Sequence, residues 1–291
     1  KNPGLKDWQH YSPTKEQLSR DFHGEGNIGL LLGEPSQNLI DIDLDWPEAQ
    51  KLATHFLPPT IMKSGRSSSP LSHWWYRCAI KTAKFSDPNA ERGKGSRDRA
   101  MIVEIRSTGG QTIVAPSAHP SGERYEWAGE LEPASIEAEK LQQAVSRLAA
   151  CALLSRYWRE GKRHDIALAL AGVLLRNGWA RTTVEQFILA AASVAGDAET
   201  EDRKQAICTT AQCLQSGEHV TGLPTLIELV GDKTGNALVK WLGLRGGLKE
   251  PFTSLANNEA TPASLVVDQY RTNGDGMVWM KPVSAKEGGA A

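Results

Sequence analysis

The chain has only four cysteines in 291 residues, Cys78, Cys151, Cys208 and Cys213, and none of them forms a Cys-x-x-Cys pair. A disulfide-stapled secreted scaffold is therefore excluded, and reduced thiols in a cytoplasmic setting are expected. Cys208, Cys213 and His219 provide no evident fourth zinc ligand, and the two cysteines fit a helix, so a structural zinc site is not expected. Long apolar runs are also missing. The longest patch, residues 166–175, is too short to cross a bilayer, and no signal peptide is visible, so no membrane association is expected. An excess of charge is absent as well: 33 Lys and Arg stand against 34 Asp and Glu, a formal net charge of -1. A partner such as nucleic acid would have to be met by a local basic surface, and Lys81, Lys84, Arg92, Lys94, Arg97 and Arg99 crowd one Gly-containing stretch that is either that surface or a solvated loop. No Gly-x-x-x-x-Gly-Lys-[Ser/Thr] occurs, because Gly93-Lys94-Gly95-Ser96 lacks both the earlier glycine and the adjacent hydroxyl. The chain is thus not expected to be an ATP-driven helicase itself. No Ser/His/Asp or Cys/His triad stands out, which argues against covalent nucleophilic catalysis.

What is present is acidic, cationic and strand-like. With 40% hydrophobic and 23% charged residues, the length allows two ordinary cores. Asn38-Leu39-Ile40-Asp41-Ile42-Asp43-Leu44-Asp45 alternates strictly, so a strand here carries Ile40, Ile42 and Leu44 on one face and Asp41, Asp43 and Asp45 on the other. Two carboxylates roughly 6.5 to 7 Å apart along a strand repel by about 2 to 3 kcal/mol at an effective dielectric near 20. A divalent cation turns that repulsion into attraction, and Mg²⁺ suits it because it leaves positions for water and phosphate oxygens. Asp45, ahead of Trp46-Pro47-Glu48, reads as a helix N-cap with Pro47 in the first turn.

A second segment begins in a turn-rich stretch, Lys63-Ser64-Gly65-Arg66-Ser67-Ser68-Ser69-Pro70, and runs into a strand starting at His73. Lys63 and Arg66 supply charge, and Ser64 and Gly65 supply hydroxyl and backbone donors, which together suit a polyphosphate. In the third segment, Met101-Ile102-Val103-Glu104-Ile105-Arg106, Glu104 and Arg106 share one strand face. Either they extend the acidic site or they are a simple ion pair, worth little at a surface. The turn Ser107-Thr108-Gly109-Gly110 then leads into a returning strand from Gln111 to Pro116.

In combination these segments resemble the bifunctional DNA primase/polymerase (prim-pol) domain of the archaeo-eukaryotic primase superfamily, found in phage and plasmid replication proteins. The resemblance rests on Asp41-x-Asp43, Ser64-Gly65-Arg66 leading to His73, Val103-Glu104-Ile105-Arg106 with Gly109-Gly110-Gln111, Pro116-Ser117-Ala118-His119-Pro120-Ser121-Gly122, and Tyr125-Glu126-Trp127. It covers roughly residues 1–130. It implies an α+β fold, a primase-type palm (mixed β-sheet with flanking helices) followed by an all-α helical bundle. It also implies that Asp41, Asp43 and Glu104 hold two Mg²⁺ or Mn²⁺ ions and that His73 contacts the phosphates of an incoming NTP or dNTP. Lys63, Ser64, Gly65, Arg66, Arg106, Gly110 and Gln111 would complete the nucleotide site. The small polar residue that the family places two before the histidine is Leu71 here, with Ser72 adjacent, and the zinc-binding stem-loop of some members is not visible. The implied partners are a single-stranded DNA template with its primer, and a helicase domain or protein in the natural context. A metal-dependent nuclease and a catalytically inactive replication adaptor are the alternatives.

The domain boundaries read as 1–132 for the catalytic domain, its N-terminus trimmed because the chain opens without Met at a point inside the family's pattern, 133–246 for a helical domain, and 247–291 for a linker or the start of another module. Helices are predicted over 134–157, 163–176, 182–195, 200–215, 223–230 and 235–242. Thr182-x-x-Glu185 and Thr183-x-x-Gln186 give capping-box signals, and Gly178 gives a helix stop. Residues 157–164 carry Trp158-x-x-Gly161-x-Arg163-His164, which resembles the opening of helical domains that follow prim-pol modules. Arg163 and His164 either grip template or merely cap and pack.

Overall fold

The computed structural model describes residues 7–12, 14–17, 26–90, 100–245 and 279–280. The fold is α+β, built on a largely antiparallel sheet with helices packed against one of its faces. Strand β1 spans Ile28–Leu31, β2 Leu39–Leu44, β3 Lys63–Arg66, β4 Ser69–Arg77 and β5 Ala83–Ser86. They are followed by β6 (Met101–Arg106), β7 (Gln111–Val114), β8 (Glu126–Trp127) and β9 (Ala134–Ser135). Helix α1 covers Pro47–Phe56, α2 Ala138–Tyr157, α3 Arg163–Arg176 and α4 Arg181–Val194. Helices α5 (Thr200–Gln215), α6 (Leu223–Val230) and α7 (Asp232–Leu242) complete the helical part, and β10 is the pair Trp279–Met280.

The main sheet runs β5-β6-β2-β4-β3-β8, with β9 parallel to β4. β1 and β7 pair antiparallel, with β10 on the other edge of β1, as a second, smaller sheet. The period-two alternation of β2 is obeyed in its register: Ile40 and Ile42 lie opposite Tyr76 and Trp74 of β4, and Ile42 and Leu44 opposite Ile105 and Val103 of β6. This apolar face joins Ala49, Leu52 and Ala53 of α1 and the buried face of α2 in one continuous core that extends through α3, α4 and α5. Fully burying one such Leu or Ile contributes about 1.5 to 3 kcal/mol. The opposite face of β2 is also shut off from solvent, with Asp41 0% and Asp43 5% exposed. The small sheet causes this, since Leu30, Leu32 and Val114 pack with Leu39, Trp75 and Met62.

Helices α3, α5 and α6 have the bounds read from periodicity. Several other expectations need correction. Lys63–Arg66 is a strand rather than a loop, because it pairs with β4 on one side and β8 on the other. Gly65 is needed there: a Cβ would stand 2.2 Å from the Ser69 carbonyl oxygen where the register shifts. Residues 134–135 join the sheet instead of opening a helix, and α2 begins at Ala138. Helix α4 begins at Arg181 with Ala180 as N-cap and no side-chain cap, so neither capping box forms. α7 starts three residues before the predicted position, at Asp232. Asp45 does not cap α1, whose N-cap is Trp46. Asp45 follows β2 directly, and its carboxyl lies under the influence of Asp43, Arg106 and Glu104 instead of capping the helix. Arg92, Lys94, Arg97, Arg99, the Gly93–Ser96 stretch, the first six residues and most of the 247–291 segment lie outside the described residues. No helix among the described residues is long and apolar enough to cross a membrane.

Candidate functional site

The acidic face of β2 is the middle of a row that three strands build by register. Asp41 faces Arg106 of β6 and Trp75 of β4; Asp43 faces Glu104 of β6 and His73 of β4. On the outer strands, Lys84 of β5 stands opposite Glu104, and Ser64 of β3 opposite His73. Residues paired across antiparallel strands share a face, so five segments separated in sequence converge on one surface.

His73 is 7% exposed, and its Nδ1 lies 3.0 Å from Asp41 Oδ2 and 3.5 Å from Asp43 Oδ1. Burial works to lower its pKa, but the charges of Asp41 and Asp43 outweigh burial and hold the imidazole above its usual value. Burial likewise works to raise Asp41, and the His73 charge, Arg106 and two hydrogen bonds reverse that and hold it ionised. One of those bonds is donated by Thr112 Oγ1 at 2.6 Å. Arg106 lies among the carboxylates: Nε donates to Glu104 at 2.9 Å, Nη1 is 3.7 Å from Asp41, and Nη2 pairs closely with Asp43. Burial disfavours its charge, but the three carboxylates secure it. Asp45 stands at the exposed end of the row, where the protein around its carboxyl and the Asp43 charge push it up to about 7.

The expected nucleotide residues do not all reach this surface. Ser64 does, buried, with its hydroxyl accepting from Trp75 Nε1 at 3.0 Å. Lys63 does not: it pairs with Trp74 on the opposite face and holds its ammonium 3.8 Å from that ring. Arg66 Nη1 is engaged by Glu123 at 2.8 Å. Gly110 closes the β6–β7 turn, its N–H donating to the Ser107 carbonyl. Gln111 starts β7, one residue and one face away from Thr112. Its amide is buried with no hydrogen-bond partner for either atom among the described residues. Leu71, on the His73 face, is exposed at the rim of the sheet.

Two participants went unread in the sequence. Thr112 holds Asp41, and only the β7 alternation next to Gln111 hinted at it. Glu123 organises the β3–β4 turn: it accepts from Ser67 Oγ, Ser68 N–H, Ser68 Oγ, Ser121 Oγ and Arg66. These donors, the Ser67 hydroxyl first, hold its carboxyl down at about 2.

Three carboxylates supply the hard oxygen donors that Mg²⁺ or Mn²⁺ takes. As arranged they do not converge, and no group of three or more His, Cys, Asp or Glu stands ready to hold a metal among the described residues. The donor chemistry fits a cation, and Arg106 is the group that competes with one for these oxygens.

In the helical part, Trp158 is buried while residues 159–162 and His164 are exposed. Trp158 Nε1 donates to Asp197 Oδ2 at 2.8 Å, Arg163 Nη1 lies 3.9 Å from Asp197, and His164 Nδ1 lies 2.9 Å from Asp202. Arg203, 1% exposed, completes the cluster with Asp197, Glu199 and Asp202. Arg163 and His164 thus each have a carboxylate neighbour within the helical part. Cys208 and Cys213 both lie on α5 and are free thiols.

An α+β fold with a row of carboxyl groups across adjacent strands, one of them bonded to a buried histidine, is the class of site found here. Residues 1–139 match the family described as bifunctional DNA primase/polymerase, N-terminal. Comparison with curated proteins and with solved structures gave no match.

Proposed function

We propose that the chain is a metal-dependent DNA primase/polymerase that adds nucleotides from NTP or dNTP to a 3′-hydroxyl under the direction of a single-stranded template, in the replication of a phage or plasmid. The observation that carries this is the meeting of Asp41, Asp43 and Glu104 with His73 and Arg106 on one sheet face, within the matched segment. On this reading the sheet is the primase-type palm and residues 133–246 are the accompanying helical bundle. The 3′-hydroxyl oxygen attacks the α-phosphorus in line, the bond to the β-phosphate oxygen breaks, and pyrophosphate leaves. Mg²⁺ or Mn²⁺ held by Asp41, Asp43 and Glu104 would supply charge neutralisation and a lowered hydroxyl pKa. His73, with Nδ1 committed to Asp41 and its charge favoured by both aspartates, offers Nε2 to a phosphate oxygen. Arg106 and Arg66 are the cations suited to the remaining oxygens. Lys63 has no part in this, because it faces the other way.

The test is extension of a labelled primer on single-stranded template with Mg²⁺ or Mn²⁺, comparing the wild type with Asp41→Ala/Asp43→Ala beside a primer-free lane. Extension by the wild type alone supports the proposal, and product in the primer-free lane adds priming. Shortening of the label would instead indicate a nuclease. Binding without extension by a folded wild type would indicate an adaptor.

A further inference from the structure

A cleft of about 650 Å³ opens away from the acidic face, between the approach to β5, helix α2 and the end of α7. Its volume is in the range of ligand-binding sites. Two tryptophans line it, Trp179 and Trp241, each anchored on a phenylalanine: Trp179 edge-on to Phe187 at 5.6 Å and Trp241 edge-on to Phe85 at 5.4 Å. Both indoles keep part of their surface accessible. Three cations, Lys81, Arg147 and Lys240, line the same cleft against one carboxylate, Glu139.

Arg147 is the informative residue. Its guanidinium lies 4.3 Å from the Trp179 ring and makes no hydrogen bond or ion pair with any described residue. Three other arginines of the helical part are matched: Arg156 pairs with Glu48, Arg176 donates to the Val220 and Thr221 carbonyls, and Arg203 has three carboxylates. Burial lowers the Arg147 pKa with no carboxylate to offset it. A half-buried guanidinium with unused donors beside an accessible indole fits an anion attached to a flat ring.

We propose that this cleft binds a segment of single-stranded DNA, with bases stacked on Trp179 and Trp241 and phosphates met by Lys81, Arg147 and Lys240. Every base has a π-face, so cations beside aromatic platforms suit a strand of any sequence. The location agrees: β5 is an edge strand, and Lys84, three residues beyond Lys81, pairs with Glu104 on the acidic face. A strand leaving that face can pass round the edge of the sheet into the cleft. The choice of polymer rests on the primase/polymerase reading, but the site is separate from the acidic row.

The test is fluorescence anisotropy of labelled oligothymidylate titrated with the full chain in EDTA, without nucleotide, over a series of KCl concentrations. It therefore reads the cleft even if no polymerase activity exists. Arg147→Gln is expected to weaken binding about tenfold. Lys81→Glu/Lys240→Glu, two exposed positions that leave the core intact, is expected to weaken it more and to reduce the salt slope by about 1.4, at about 0.7 for each phosphate no longer neutralised. Wild-type affinity and slope in both cleft variants, with circular dichroism unchanged, would overturn the proposal.

Discussion

The molecule buries acidic side chains against arginine in two places, and the two are balanced differently. In the helical part, Asp197 and Arg203 are both almost wholly buried and neutralise each other, while Glu199 and Asp202 add their charge from partly exposed positions. Arg163 stands 3.9 Å from Asp197 and His164 2.9 Å from Asp202, so each of the three carboxylates has a cation beside it. On the sheet, Asp41, Asp43 and Glu104 have side chains 0%, 8% and 14% exposed and share Arg106 as their inner cation, with His73 below and Lys84 out in solvent. With Asp45 at its end, four carboxyl groups crowd this face against Arg106, His73 and the exposed Lys84, on paired strands that cannot move apart. A matched buried pair serves the fold, whereas an unmatched cluster on a rigid sheet calls for a further cation.

Substitutions should separate the two. Asp41→Asn/Asp43→Asn is expected to reduce nucleotide incorporation per folded molecule about a thousandfold or more, at some cost in thermal stability because Arg106 and His73 lose buried partners. Primer extension and calorimetry on the same preparation check both halves. Arg203→Met should act in the opposite sense. It leaves Asp197 buried and unpaired, costs about 3 to 5 kcal/mol in urea unfolding, and leaves incorporation per folded molecule unchanged.

A smaller effect is expected with pH. Burial works to raise Asp197, but hydrogen bonds from Arg203 and Trp158 bring it down to about 2 from an ordinary 3.8. A depressed carboxyl contributes stability above its unfolded pKa and loses it as pH falls through the folded value. Asp197→Asn should therefore lag the wild type by about 2 kcal/mol above pH 4, and the gap should close as pH approaches about 2. Smallest of all, Glu123→Gln weakens the clamp on Arg66 and the Ser67-Ser68 turn. It should raise the nucleotide KM about threefold with kcat nearly unchanged, measured by steady-state incorporation.

The sequence disclosed the acidic row because a strand has a period of two: Asp41 and Asp43 had to share a face, as did Glu104 and Arg106. Helices with strong apolar periodicity, such as Arg163–Arg176, were legible for the same reason. Non-local decisions were hidden. Lys63-Ser64-Gly65-Arg66 has turn composition, and only pairing with β4 and β8 makes it a strand. That pairing then sets the parity that turns Lys63 away from His73. The capping boxes around Thr182 and Thr183 failed because α4 starts before them. Thr112 and Glu123 were out of reach, since each acts across a separation of more than fifty residues on groups that only the tertiary fold brings near.

The central claim is that the sheet's surplus of carboxylate is a cation site. The most direct test is the thermal midpoint of the full chain titrated with Mn²⁺, comparing wild type with Asp41→Asn/Asp43→Asn. A ligand at about a hundred times its Kd adds about 2.7 kcal/mol, several degrees for a protein of this size. The account predicts that rise in the wild type and a flat line in the variant. A wild-type midpoint that does not move with Mn²⁺, or one that moves equally in both proteins, would contradict it.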